Sequence, residues 1–486
     1  MLRCLSSLIA IALLGSCADR GDQGVVEIAY LGDAATDAQR EALTSEASLV
    51  KAAQQQGLVR FNDRGEVVPG LAERWIVTDD GRSYIFRISE FDLPDGTRIT
   101  ARSVASALNR ILRQSRATSL GLDLQKVSDI RAMTGRVIEI RLRNPMPGFL
   151  SLLAQPELGI AFDGGQMGPM RARPEEGVVV LDTIPPEERG LAQQADWDEL
   201  VRAVHLQTLA PADAAKAFAR GEVDVLLGGR METLPLAITG ALSRGTVRLD
   251  SAVGLFGLDV ARPAGFLADA ANREAIAMAI DRPALVQQFN LGGWSGSDRI
   301  VPAGLPGDEG VVAERWQGMT LEQRRASAVA RVRGWAAEHG GPPGLSIYLP
   351  PGPGSAFLLQ ALARDLAGIG ITATRAQTPQ EADLKLRDSV ARFPGARWFL
   401  NQFNCEISAP VCSPDADFLV QLSLDARDAA EEASFLAEAE QTLTATNLFI
   451  PLGSPIRWSQ VRAGVEGFAE NPYAWHPLFP FSRAPI

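Results

Sequence analysis

VVPGLAERWIVTDDGRSYIFRI, residues 67–88, carries the clearest structural signal in the chain. Asp80-Gly81 stands between two runs rich in strand-forming residues, the pattern of a tight β-hairpin. Beyond the turn, Tyr84, Phe86 and Ile88 alternate and share one face. The next stretch, DLPDGTRITARSVASALNRIL (92–112), places a Pro94-Asp95-Gly96 turn before Thr100, which is positioned to cap a helix whose inner face is Val104, Leu108, Ile111 and Leu112. A further strand is expected over Val137 to Leu142. Residues 57–159 therefore read as a small lobe of their own.

Toward the N-terminus, Val26, Ile28 and Tyr30 alternate as in a half-buried strand, and residues 34–56 read as a surface helix. Residues 17–24 form a short polar linker. Ahead of it, Arg3 and the apolar run Leu5 to Leu14 have the character of an export signal over residues 1–16. A run of ten residues falls short of the roughly 20 that span a bilayer. Leu14-Gly15-Ser16-Cys17 resembles a bacterial lipobox, which implies a lipid on Cys17; ordinary cleavage, with Cys17 left free or removed, is the alternative. Cys4 leaves with the signal, so Cys405 and Cys412 remain as an even pair. In an oxidising compartment they form a disulfide, and otherwise they stay two reduced thiols.

Toward the C-terminus, residues 163–190 are rich in Gly, Pro, Glu and Arg and read as loops or a crossover. LAPADAAKAFARGEVDVLLG (209–228) gives a helix and a short buried strand from Val223 to Leu227. The alanine-rich run 272–280 is a helix; Asp281 and Pro283 open the next one, whose inner face is Leu285, Val286 and Phe289 and which ends at Gly292-Gly293. Leu345, Ile347 and Leu349 form a strand, a helix runs from Ser355 to Ala367, and a second strand covers Ile371 to Arg375. Strand, helix and strand in that order favour a parallel pair. A helix over 427–446 then leads into LFIPLGSPIRWSQ (448–460), read as one returning strand. The fold class is α/β.

Composition narrows the function. Loss of residues 1–16 leaves 46 basic and 58 acidic side chains, a net charge of −12 with no basic run, which argues against nucleic acid as a partner. His205, His339 and His476 lie far apart and in no metal-binding spacing, so neither metal nor cofactor is expected. GGWSGS (292–297) lacks the second glycine of a nucleophile elbow. Lys51, Lys126, Lys216 and Lys385 do not follow glycine as a phosphate-binding loop requires, and PPGPGS (350–355) reads as a stiff turn. A secreted hydrolase is accordingly a minor alternative, and the chain is not expected to be an enzyme.

The stretches 67–88 and 92–112, followed by NREAIAMAIDRPALVQQFNLGG (272–293), LARDLAGIGITAT (362–374) and GVEGFAENP (464–472), resemble the family 5 extracellular solute-binding proteins, the oligopeptide, dipeptide and nickel-type receptors of ABC importers. The resemblance covers most of the chain after residue 25. It implies a two-lobed periplasmic-binding-protein fold joined by two hinge strands. Lobe I would comprise 25–56, 160–255 and 450–486, with the small lobe 57–159 inserted in it, and lobe II residues 256–449. It further implies an exported monomer, periplasmic or extracytoplasmic, that binds a peptide or other small solute and delivers it to a permease and ATPase complex, touching the membrane only through lipid. A degenerate receptor serving as chaperone or sensor is the alternative. In peptide-binding members a tryptophan is followed three residues on by an aspartate that holds the peptide ammonium group. Here Trp398 fits, but Asn401 occupies the third position, so the charge would come from Glu406 or Asp415, or the solute lacks a free amino group. On that reading Asn401→Asp tightens binding of free-amino peptides. Trp398, with Phe399 and Phe403, would line the cleft; Trp294 and Tyr30 are further ligand-binding candidates.

Overall fold

The computed structural model describes residues 24–32, 46–90, 92–93, 95–163, 165–237, 245–289, 294–308 and 316–484. The expected signal peptide, Cys17, most of the 17–24 linker, residues 34–45 of the expected surface helix and Gly292-Gly293 lie outside them. Two large sheets organise the rest. The first has seven strands in the order Val247–Asp250, Arg457–Val461, Val225–Arg230, Val25–Leu31, Ala203–Leu209, Val178–Thr183 and Met170–Glu175. Val25–Leu31 lies at its centre, parallel to both neighbours. The helix Pro211–Arg220 connects those neighbours and packs Ala214, Ala217 and Phe218 on Ala29, Leu31 and Leu226. The second sheet has five strands, Thr372–Arg375, Gly344–Tyr348, Leu384–Val390, Gly254–Val260 and Phe449–Gly453. Its pair Gly344–Tyr348 and Thr372–Arg375 is parallel and bridged by the helix Pro353–Ala367.

The hairpin read from Asp80-Gly81 joins Ala72–Val77 to Ser83–Ile88, with Gly81 at φ +65°. These strands, with Val127–Thr134 and Val137–Leu142, make a separate four-stranded antiparallel sheet. Thr100 caps the helix Ala101–Gln114, its hydroxyl accepting from the Ser103 amide at 3.2 Å. Tyr84 meets Phe149 edge to face at 4.7 Å between centroids. Phe86 and Phe149 are wholly buried, each worth about 1.5–3 kcal/mol of transfer free energy.

Two sequence expectations are corrected. Residues 163–190 contain a hairpin, Met170–Glu175 and Val178–Thr183, turning at Gly177 (φ +79°) and ending the seven-stranded sheet. Its outer strand, MRARPE, carries the charges and proline that suit a sheet edge, and these masked its strand character. The segment 448–460 is two strands rather than one: Phe449–Gly453 pairs in the five-stranded sheet and Arg457–Val461 in the seven-stranded one, with the Gly453-Ser454-Pro455 break between them. The boundaries expected at 255/256 and 449/450 consequently fall inside strands of the second sheet.

That break has a partner. Val247–Asp250 belongs to the first sheet and Gly254–Val260 to the second, so residues 251–253 and 454–456 both run from sheet to sheet. Asp250 pairs with Arg457 on one side of the crossing and Phe256 with Gly453 on the other. The two crossings therefore lie side by side, the arrangement of a two-stranded hinge.

Candidate functional site

Between the two lobes lies a cleft with a volume of about 1080 Å³. The first lobe lines it with Gly32, Pro211, Arg230, Glu232 and Thr233, and the small lobe with Ala117, Thr118 and Ser119. The second lobe supplies Asp259, Tyr348, the prolines 350, 351 and 379, the strand face from Lys385 to Ser389, Gln402 and the loop 406–411.

Local chemistry fixes each wall. The strand Val225–Arg230 ends in a 3-10 turn, Met231–Leu236, where the Thr233 hydroxyl accepts from the Arg230 amide at 3.1 Å and turns Glu232 and Thr233 to the cleft. The approach to that turn needs glycine: Gly228 has φ +81°, and a Cβ there would lie 2.7 Å from the Tyr30 ring. On the facing wall, Arg387 is held by Asp259 at 2.8 Å, the Gln402 carbonyl at 3.0 Å and the Ser408 hydroxyl at 2.8 Å, with its guanidinium 4.8 Å above the Phe403 ring. Cys405 and Cys412 are joined by a disulfide that closes the loop 406–411 on itself. Such a short loop restricts the unfolded chain by about 2.5 kcal/mol.

The lobes also touch directly. Arg457, just after the second crossing, donates to both carboxylate oxygens of Asp388 at 2.7 and 2.9 Å, and Arg230 reaches the Asp388 carbonyl at 3.5 Å. Burial, with Arg230 beside it, lowers the Arg457 pKa from its ordinary value, and Asp388 opposes that shift. At the start of the helix Pro353–Ala367, a Cβ on Gly354 would stand 2.0 Å from the Met231 carbonyl oxygen. The second lobe thus rests backbone to backbone on the first at this point.

A second seam joins the small lobe to the second lobe. Arg392 bonds Asp123 (3.1 Å), Ser119 (3.0 Å) and Glu157 (3.2 Å). Arg397 bonds Gln125 at 3.0 Å, and Lys126 pairs with Glu432. Asp123 is 0% exposed, and burial raises its carboxyl to about 6 although Arg392 and Asn401 pull it down. Burial also lowers Arg397 to about 10.

Of the sequence candidates, the cleft lining includes Glu406 alone. Trp398 is 1% exposed and packs edge-on against Phe399, so it belongs to the interior of the second lobe rather than to the cleft wall. Asn401, 2% exposed, donates to Asp123 at 2.9 Å and serves the seam. Phe403 supports Arg387 from below. Tyr30 is buried beside a cavity of about 30 Å³ near the hinge, with Asp250 and Arg457. Trp294 donates to the Ser454 carbonyl at 2.8 Å, bracing the second crossing. Asp415 is exposed in the first turn of the helix Pro414–Leu422. The three histidines have separate neighbours: Glu27 for His205, the Trp335 carbonyl for His339 and Asp250 for His476. Among the described residues no three potential ligands gather to hold a metal. Sequence reasoning missed Lys385, Arg387, Asp388, Arg230 and Glu232. A signal existed for the first three: LKLRDSV (384–390) carries charges inside a strand-like run, where they need partners or a ligand.

Two lobes, paired crossings and a cleft lined from both sides define a solute-binding protein of the two-lobed type. The model of the bacterial extracellular solute-binding proteins, family 5, matches residues 66–396, more than half of the chain, and the chain belongs to that family. Among curated proteins, the probable deoxycholate-binding periplasmic protein YgiS of Escherichia coli K12 is 25% identical over 317 residues, which span 58% of each chain. Haemophilus influenzae OppA, solved with the peptide RPPGFSPFR, superposes with a TM-score of 0.77 over 95% of this chain and 99% of its own, at 16% identity. The Escherichia coli murein tripeptide binding protein MppA gives 0.75 at 17% identity over 93% and 97%. Brucella suis NikA, with Fe(III)-EDTA, gives 0.71 at 16% identity over 95% and 100%. No described helix is long and apolar enough to cross a membrane.

Proposed function

We propose that the chain captures a small, peptide-like solute in the interlobe cleft and delivers it to an ABC permease, working as a monomer tethered outside the cytoplasm by lipid on Cys17. The observation that carries this reading is the cleft of about 1080 Å³, lined from both lobes beside two antiparallel crossings. Its size suits a ligand at or above the usual small-molecule range of about 300–1,000 Å³. Its wall mixes charges, with Arg230, Lys385 and Arg387 among Glu232, Asp259, Asp388 and Glu406. A zwitterionic or multiply polar solute meets both signs there. Closure about the hinge then reports occupancy, limited by how much better the closed form binds.

The rim of Tyr348, Pro350, Pro351, Pro379 and Pro410 favours a second reading, an amphipathic organic acid, in keeping with the deoxycholate named for the curated relative. Native mass spectrometry of the protein as purified, followed by calorimetry with free and amino-blocked short peptides and with deoxycholate, separates the two. Peptide binding alone supports the first reading and deoxycholate binding alone the second. Turnover of any compound contradicts a receptor.

A further inference from the structure

A second pocket, away from the interlobe cleft, lies where the strand Val59–Phe61 of the small lobe meets the C-terminal segment of the first lobe. It has a volume of about 40 Å³ and is lined in part by Gln55, Gln56, Arg60, Pro477 and Phe479. About 10–15 Å³ suffices for one water, so the space admits one small oxyanion and little more. Arg60 is partly buried, and its side chain forms no hydrogen bond or ion pair among the described residues. Arg189 is fixed behind the lining residue Phe479: its Nε donates to the Ile184 carbonyl at 2.9 Å and its guanidinium lies 5.2 Å over Phe479 and 5.9 Å over Trp197. Arg483 is near enough for its charge to act on Arg60, with Asp63 4.0 Å away as its acid neighbour. Burial, followed by the charges of Arg189 and Arg483, lowers the Arg60 pKa, and no carboxylate offsets them.

We infer that this pocket is a binding site for a small oxyanion of the phosphate or sulfate class, held by Arg60 with the help of Arg189 behind the Phe479 wall. Three guanidinium groups against one carboxylate leave a positive excess. Arg60 supplies planar donors that match an oxyanion and have no other acceptor among the described residues. Gln55 and Gln56 add amide groups at the wall. The site is separate from the cleft in its lining residues, so its occupancy does not depend on the transported solute.

The test is thermal unfolding and calorimetry of the full chain with inorganic phosphate, against chloride at matched ionic strength, for wild type, Arg60→Gln and Arg189→Gln. Without phosphate, Arg60→Gln should be as stable as wild type or more so, because it relieves repulsion. With phosphate, wild type should gain stability, and each variant should bind at least about tenfold more weakly. No gain over chloride in the wild type, or an equal gain in both variants, overturns the proposal. Should Arg60→Gln fail to fold, crystals of the wild type soaked in selenate give the answer: an anomalous peak at Arg60 supports the site, and its absence overturns it.

Discussion

Asn401→Asp reverses the expectation drawn from the sequence. If position 401 faced a peptide ammonium group, the new carboxylate would improve binding. Instead, Asn401 gives its amide proton to the wholly buried Asp123 at 2.9 Å. The substitution removes a hydrogen bond to a charged acceptor, worth about 1.5–3 kcal/mol, and brings two carboxylates within hydrogen-bond distance in a site with little water. Asp123 already holds its proton up to about 6 with an amide for a neighbour. A second carboxylate drives the pair to share one proton well above that value. At pH 7.5 the folded state must either keep that proton against an unfolded state that has lost it or carry both charges, and a loss of roughly 3–5 kcal/mol is expected, the range for an uncompensated buried charge. As pH falls toward the unfolded carboxylate value, one proton satisfies both groups at little cost and much of the loss is recovered. Urea unfolding of wild type and variant at pH 5 and pH 7.5 measures both arms. A variant as stable as wild type at pH 7.5, or one that binds free-amino peptides more tightly, would refute the placement of Asn401 in the seam.

Three further outcomes are expected. The Asp123 carboxyl is raised from 3.8 to about 6, so the folded state holds its proton longer than the unfolded one; its contribution is fully present below pH 3.8 and lost as pH rises through about 6, on the order of 3 kcal/mol. Asp123→Asn should flatten that part of the stability profile in chemical denaturation across pH 3.5–6.5. Gly354→Ala puts a methyl group where the Met231 carbonyl now lies 2.0 Å away, so the lobes must part by more than an ångström; solute affinity by calorimetry should fall about tenfold or more, while the fold is retained, since alanine suits the helix better than glycine. Trp294→Phe removes the bond to Ser454 while keeping an aromatic ring, and should cost about 1 kcal/mol in thermal unfolding.

The elements were legible where local chemistry decides them. Asp80-Gly81 and Thr100 announce their hairpin and helix cap because a left-handed turn residue and a capping hydroxyl act within a few positions. The edge strand 170–175 was not legible, because its charges and proline answer to solvent at a sheet edge rather than to a core. Nor was the passage from Gly453 to Arg457 between sheets: alternation continues through residues 448–460, and only the pairing partners tell one sheet from the other. The site suffered most. Trp398 looks like a cleft aromatic by its place in a motif, yet the fold buries it, while Arg387 and Asp388 gain their position from strand neighbours and crossing segments distant in sequence.

The most direct measurement is a crystal structure of the protein with its co-purifying or calorimetrically identified solute. Density for that solute should lie between Arg230–Thr233 of one lobe and Lys385–Ser389 of the other, touching both. A solute bound to one lobe alone, or at Trp398 with the cleft empty, would contradict capture between the lobes.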